Sequence, residues 1–315
     1  MSDQPNRREF IQRASLLSLG AAGLGNLPAR GAESAPSVGG HPLKISLGIY
    51  SFNQALTAPA AGGAPAMTVF DVLDYAAQNN FDALDATGYY FPGYPRVPAD
   101  SFIYDLKRRA FKLGLGISGT GIRTNFAQPD PAKRAAEVQL TKDWIEVASK
   151  LGVSSLRVFA GAAPAGQAWD EAAGWVAEAL KPCVEYGRQH GIMLGIQNHT
   201  DLLQTGDQVL KIVKLVDSEW FGVIVDTGNF HGPDPYDDIA RVAPHAINFQ
   251  IKESPFGAAS PVRMDMKKLL PIIHGVGYRG YLPIETLAAP GQAYDPRVAV
   301  PILLQQVRQA LATGA

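Results

Sequence analysis

Apolar positions along the chain fall into two alternating rhythms. Short β-rich runs end in polar residues, and each is followed by a longer segment whose apolar positions recur every three or four residues. The runs predict strands at Lys44–Tyr50, Ala83–Thr87, Gly116–Thr120, Ser155–Ala160, Met193–Asn198, Gly222–Asp226, Ala246–Ile251 and Tyr281–Glu285. The longer segments predict helices at Thr68–Asn79, Ser101–Leu113, Pro131–Leu151, Ala168–His190, Thr205–Val216, Pro235–Ala243 and Met266–His274. Pro131 and Pro235 suit the first turn of a helix, and Gly114, Gly152 and Gly191 stand directly after helices as stops. Eight such units in roughly 275 residues match a single-domain (β/α)8 TIM barrel. A doubly wound open sheet is the competing arrangement, but no Gly-x-Gly-x-x-Gly follows the first strand.

The chain ahead of the first strand reads differently. Arg7-Arg8-Glu-Phe-Ile precedes a small-residue, apolar run from Ala14 to Ala29, the layout of an export signal of the twin-arginine type. Residues 1–32 are therefore expected to be a signal peptide, 33–42 a Pro/Gly/Ser linker and 43–315 the barrel. The apolar run is too short and too Gly-rich for a stable membrane span, which takes about 20 residues. The expected location is periplasmic or otherwise extracytoplasmic, reached through the twin-arginine export machinery.

Composition narrows the chemistry. The 315 residues are 46% hydrophobic and 18% charged, which supports a large core. With 28 Lys+Arg against 29 Asp+Glu the net charge is −1, so a nucleic-acid partner is not expected. Cys183 is the single cysteine; any metal must then be held by oxygen or imidazole. An oligomer is compatible with this composition.

In a TIM barrel the carboxyl ends of the strands face the active site. The last four predicted strands end in Gln197-Asn198-His199, Asp226-Thr-Gly-Asn229-Phe-His231, Gln250-Ile-Lys252-Glu253 and Glu285-Thr286. Tyr50, Asn53 and Asp85 follow the first two strands, and Arg157 lies within the fourth. After the second strand, Thr87-Gly-Tyr-Tyr-Phe-Pro-Gly-Tyr offers Tyr89, Tyr90, Phe91 and Tyr94 as an aromatic platform on which sugar C–H faces could stack, a packed lid being the other reading.

These four strand-end motifs, in this order, resemble the sugar phosphate isomerase/epimerase family, the xylose isomerase-like TIM barrels. The resemblance implies one divalent ion, manganese or magnesium with zinc as the alternative, held by a Glu ending strand five, an Asp ending six, a His or Gln on seven and a Glu ending eight. Carried over, the ligands are Gln197, Asp226, Gln250 and Glu285, with Gln197 standing where the family has Glu. Two carboxylates instead of three should lower metal affinity. The implied activity is isomerase or epimerase chemistry on a small sugar or keto-sugar, by proton abstraction next to a carbonyl. Glu285, His199, Lys252 and His231 are the catalytic candidates, and Tyr50, Asn53, Asp85, Tyr89, Tyr90, Arg157, Asn198 and Asn229 the substrate-binding ones. A lyase eliminating from a 3-keto-sugar and a non-catalytic carbohydrate-binding barrel are the alternatives. The free sugar is expected rather than its phosphate, since no Gly-rich phosphate cradle is visible.

Overall fold

In the computed structural model, residues 43–57, 66–199, 201–253, 265–287 and 293–313 are described. The proposed signal and linker lie outside them. Eight parallel strands close into a barrel in sequential order: β1 (Lys44–Gly48), β2 (Ala83–Asp85), β3 (Gly116–Gly121), β4 (Ser155–Phe159), β5 (Met193–Gln197), β6 (Phe221–Asp226), β7 (Ala246–Glu253) and β8 (Tyr281–Thr286), with β8 pairing back to β1. Every residue of β6 is buried, as expected of a parallel strand covered on both faces.

The helices are α1 (Asn53–Thr57), α2 (Val69–Gln78), α3 (Asp100–Lys112), α4 (Pro131–Leu151), α5 (Trp169–Gln189), α6 (Gly206–Val216), α7 (Pro235–Val242), α8 (Met266–Gly275) and α9 (Pro296–Thr313). Their starts are set locally. Thr68 with Asp71 and Thr205 with Gln208 form capping boxes, while Asp130 and Asp234 cap helices that open on Pro131 and Pro235. Gly152 ends α4 with φ 79°, in the left-handed region that a side chain would oppose.

Each predicted strand and helix is present within a few residues. β1 stops at Gly48, so Tyr50 sits in a single helical turn over Ile49–Phe52. β7 runs on to Glu253 and brings Lys252 into the sheet. α9, which the sequence reading did not anticipate, buries Val300, Leu303, Leu304 and Val307.

Two features of the barrel wall aim the site. A bulge between Val223 and Ile224 skips one residue of β7, so Asn248 pairs with Ile224 and Gln250 with Asp226. The displaced Ile247 packs where a Cβ on Gly222 would lie 2.4 Å from its Cγ2, so the bulge requires glycine there. On the loop after β2, Gly88 lies against Trp144 of α4, where a Cβ would come within 2.3 Å of the indole. The indole N–H also donates to Pro95 O at 2.9 Å, and together these contacts hold the Tyr89 loop over the barrel. Phe91 is only 3% exposed and packs on Phe102 and Trp144; it belongs to the core rather than to the expected platform.

Candidate functional site

A cavity of about 730 Å³ opens at the carboxyl ends of the strands, the size of a small-ligand pocket. Gln197, Asn229, Gln250, Lys252 and Glu285 line its floor; Tyr50, Tyr89, Arg157 and His199 stand on its walls. Of the expected residues, these are the ones the fold brings to the cavity lining.

The floor is a closed ring of contacts. Lys252 Nζ lies 2.9 Å from Asp226 Oδ2 and 2.9 Å from Glu285 Oε1. Gln197 Nε2 donates to Asp226 Oδ2 at 2.5 Å and to Gln250 Oε1 at 2.8 Å, and Gln250 Nε2 donates to Glu285 Oε2 at 2.5 Å. The amide orientations follow from the carboxylates, which only accept, so each amide turns its NH2 to them. Burial works to lower the Lys252 pKa, but the attraction of Asp226 and Glu285, with hydrogen bonds to both, outweighs it and holds the amine protonated well above its usual range. For Glu285 burial dominates and raises the pKa, while Lys252 pulls it down. Glu285 Oε1 is the ammonium's ion-pair partner, and its Oε2 is held by Gln250.

Asp226 is fully engaged. Its Oδ2 also accepts from Asn229 Nδ2 at 2.7 Å and its Oδ1 from the Gly228 N–H at 3.0 Å. Asn198, expected to meet substrate, is fully buried and instead clamps the Asp226 backbone, donating to its carbonyl at 2.9 Å and accepting from its N–H at 2.8 Å. It positions Asp226.

The walls combine aromatic and cationic groups. Tyr50 and Tyr89 meet edge to face with centroids 6.3 Å apart, and the Arg123 guanidinium lies 4.4 Å from the Tyr89 ring centroid. Arg157 lies 4.3 Å from the centroid of Phe159. Among the described residues neither guanidinium is within ion-pair distance of a carboxylate. His199 stacks on Phe159 at 4.7 Å, and burial, with repulsion from Lys252, pushes its pKa down to about 4, so it is neutral at pH 7. Asp201, 3.8 Å from His199 Nδ1, has its carboxyl pushed up to about 6 by burial.

Other expected residues lie elsewhere. Tyr90 donates to Asn53 Oδ1 at 2.8 Å, and neither is on the cavity lining. Tyr94 is tied to the Arg123 backbone, accepting from its N–H at 2.9 Å. His231 is exposed on the loop after β6 and does not reach the cavity. Asp85 faces a second, water-sized cavity of about 20 Å³ inside the barrel, and burial raises its carboxyl to about 6. Sequence reasoning missed Phe159 and Asp201. Phe159 ends β4 on the inner register of Arg157, a signal that was available; Asp201 sits in an irregular loop without one.

The expected metal ligands therefore meet, but around a lysine. A divalent ion needs converging oxygens at about 2.0–2.2 Å. Here both amides turn nitrogen to the carboxylates, the lone pairs of Asp226 are taken by four donors, and an ammonium stands between Asp226 and Glu285. Among the described residues no three His, Cys, Asp or Glu side chains converge. The donor set does not fit a resident divalent ion. Nor is any helix among the described residues long and apolar enough to cross a membrane.

Solved structures share this architecture at low identity. An L-ribulose 3-epimerase superposes with TM-score 0.70 at 17% identity, covering 86% of this chain and 95% of its own. The 3-keto-D-glucoside 4-epimerase YcjR from E. coli gives 0.65 at 13%, covering 85% and 99%. The IOLI protein with a bound zinc atom gives 0.69 at 13%, covering 86% and 99%. No curated protein matches the sequence. The family model for the xylose isomerase-like TIM barrel matches residues 73–301, and with the closed barrel this places the chain in that family.

Proposed function

We infer that the protein is an isomerase or epimerase acting on a small sugar or keto-sugar, through proton transfer at the carbon next to a carbonyl. The carrying observation is Glu285: a carboxylate 3% exposed, at the end of β8, lining a sugar-sized cavity and beside an ammonium. Burial raises its pKa, which suits a general base. Tyr50 and Tyr89 provide faces for sugar C–H groups, and Arg157 a donor for its oxygens. Asp201, on the loop after β5 and three strands from Glu285, lines the same cavity, has its carboxyl pushed up to about 6 by burial, and is the group that would return the proton from the opposite side. The sugar epimerases among the structural relatives support this substrate class. Export is part of the same reading and rests on Arg7-Arg8 and the apolar run behind them; a reporter fused to residues 1–42 and tracked by cell fractionation tests it.

The test is solvent exchange. Incubating the protein with a panel of ketoses and 3-keto-glycosides in deuterium oxide should place deuterium at the carbon beside the carbonyl, seen by NMR, with Glu285→Gln abolishing it. An unsaturated product would identify a lyase instead. Binding without exchange across the panel would leave a carbohydrate-binding barrel.

A further inference from the structure

We propose that Lys252 is the built-in cation of this site: its ammonium takes the place between Asp226 and Glu285 that a divalent ion would fill, and the protein works without a resident metal. The distances are those of hydrogen-bonded ion pairs, 2.9 Å to each carboxylate, where a metal would need about 2.1 Å. There is no room for both cations. Bringing a dication to Asp226 would displace the Gln197, Asn229 and Lys252 donors from one oxygen and reverse two amides.

Charge balance points the same way. A monocation balances one carboxylate fewer than a dication. The position on β5 that could have supplied a further carboxylate holds Gln197, whose two N–H groups are both used, one on Asp226 and one on Gln250. The neutral Gln197 and the cationic Lys252 are complementary halves of one arrangement. A glutamate at 197 would add a buried charge without a partner, at a cost that burial makes large.

The ammonium can also do a metal's chemical work. It has three N–H groups; two face Asp226 and Glu285, and the third is left for an oxygen in the cavity that Lys252 lines. With a sugar carbonyl there, Glu285 takes the proton from the adjacent carbon and that C–H electron pair becomes the C=C bond. The carbonyl π pair moves onto oxygen, and the enediolate oxygen is held by the Lys252 N–H. Returning a proton to carbon restores the carbonyl. Asp226, engaged by four donors, positions the ammonium. This chemical step rests on the function proposed above; the cation assignment does not.

The experiment is metal analysis of the full chain folded in the cytoplasm, followed by calorimetric titration with manganese, magnesium and zinc salts, on the native protein and on Lys252→Met. The native protein should carry far less than one ion per chain and show no binding into the millimolar range. Lys252→Met should bind manganese about 100-fold more tightly or better, because two carboxylates are released from their ammonium. Tight binding of one ion per chain by the native protein would overturn the proposal, and so would the absence of any gain in Lys252→Met. If Lys252→Met folds neither with nor without manganese, Lys252→Arg is titrated in its place: no binding supports the assignment and binding overturns it. These outcomes are read whether or not a sugar is turned over, so a failed exchange assay would remove the proposed function and leave the cation assignment standing.

Discussion

Replacing Lys252 by methionine keeps the volume of the side chain and removes the ammonium that stands between two buried carboxylates. At an effective dielectric constant of about 20, each contact at 2.9 Å contributes roughly 6 kcal/mol of attraction. Desolvating three charges offsets most of that, so the better scale is the cost of leaving buried charge uncompensated, about 3–5 kcal/mol. That is a large share of a typical stability of about 5–15 kcal/mol. The loss should depend on pH, and its sign follows from Glu285. Burial raises its folded-state pKa above the ordinary 4.5, and Asp226 adds to that rise. Without Lys252 the rise is greater still. A carboxylate raised in this way costs stability when ionised, so the deficit of Lys252→Met is full above the folded pKa and shrinks as pH falls toward 4.5. Urea unfolding of native and variant protein at pH 8 and near pH 5 measures it. Combining Lys252→Met with Glu285→Gln should recover more than half of the loss at pH 8, a coupling expected of residues in contact. A deficit below about 1 kcal/mol, or one equal at both pH values, would refute the ion-pair account.

Three further outcomes are expected. Asp85→Asn should stabilise the protein at pH 8 by at most about 3 kcal/mol, since a carboxyl pushed from 3.8 to about 6 by burial opposes folding when charged; the gain should vanish near pH 4, and denaturant curves at the two pH values check it. Gly88→Ala should cost about 1–3 kcal/mol of overpacking against Trp144, read as a lowered melting temperature, and no loss would mean that the Tyr89 loop is not held there. Tyr89→Ala should raise KM about tenfold with kcat little changed, as expected if the ring binds ground state and transition state alike, and an unchanged KM would take the ring out of the binding wall.

The architecture was legible in the chain because its causes are local. Period-two and period-3.6 patterning, capping residues such as Thr68 and Asp130, and prolines at helix starts act within a few residues, so all eight strands were visible. α9 was not: it follows a Gly/Pro-containing stretch and carries Pro301 within it, which blurs its start and its period. Much of the cavity lining was legible too, since barrel topology turns strand ends into one surface, and Gln197, Gln250, Lys252 and Glu285 meet there.

What the chain alone determined was thus that strand-end residues such as Gln197, Gln250, Lys252 and Glu285 reach the mouth of the barrel. Which partner each one takes there was decided by tertiary structure. Lys252 reaches Asp226 and Glu285 because a bulge between β6 and β7 sets Gln250 against Asp226, which puts the next inward residue between its two neighbouring strands. Asn198 clamps a backbone, His231 turns to solvent and Phe91 enters the core for the same kind of reason. Hydrogen bonds and ion pairs act over about 3 Å, and the partners that satisfy them lie tens of residues apart in sequence, so only the closed barrel brings them within range.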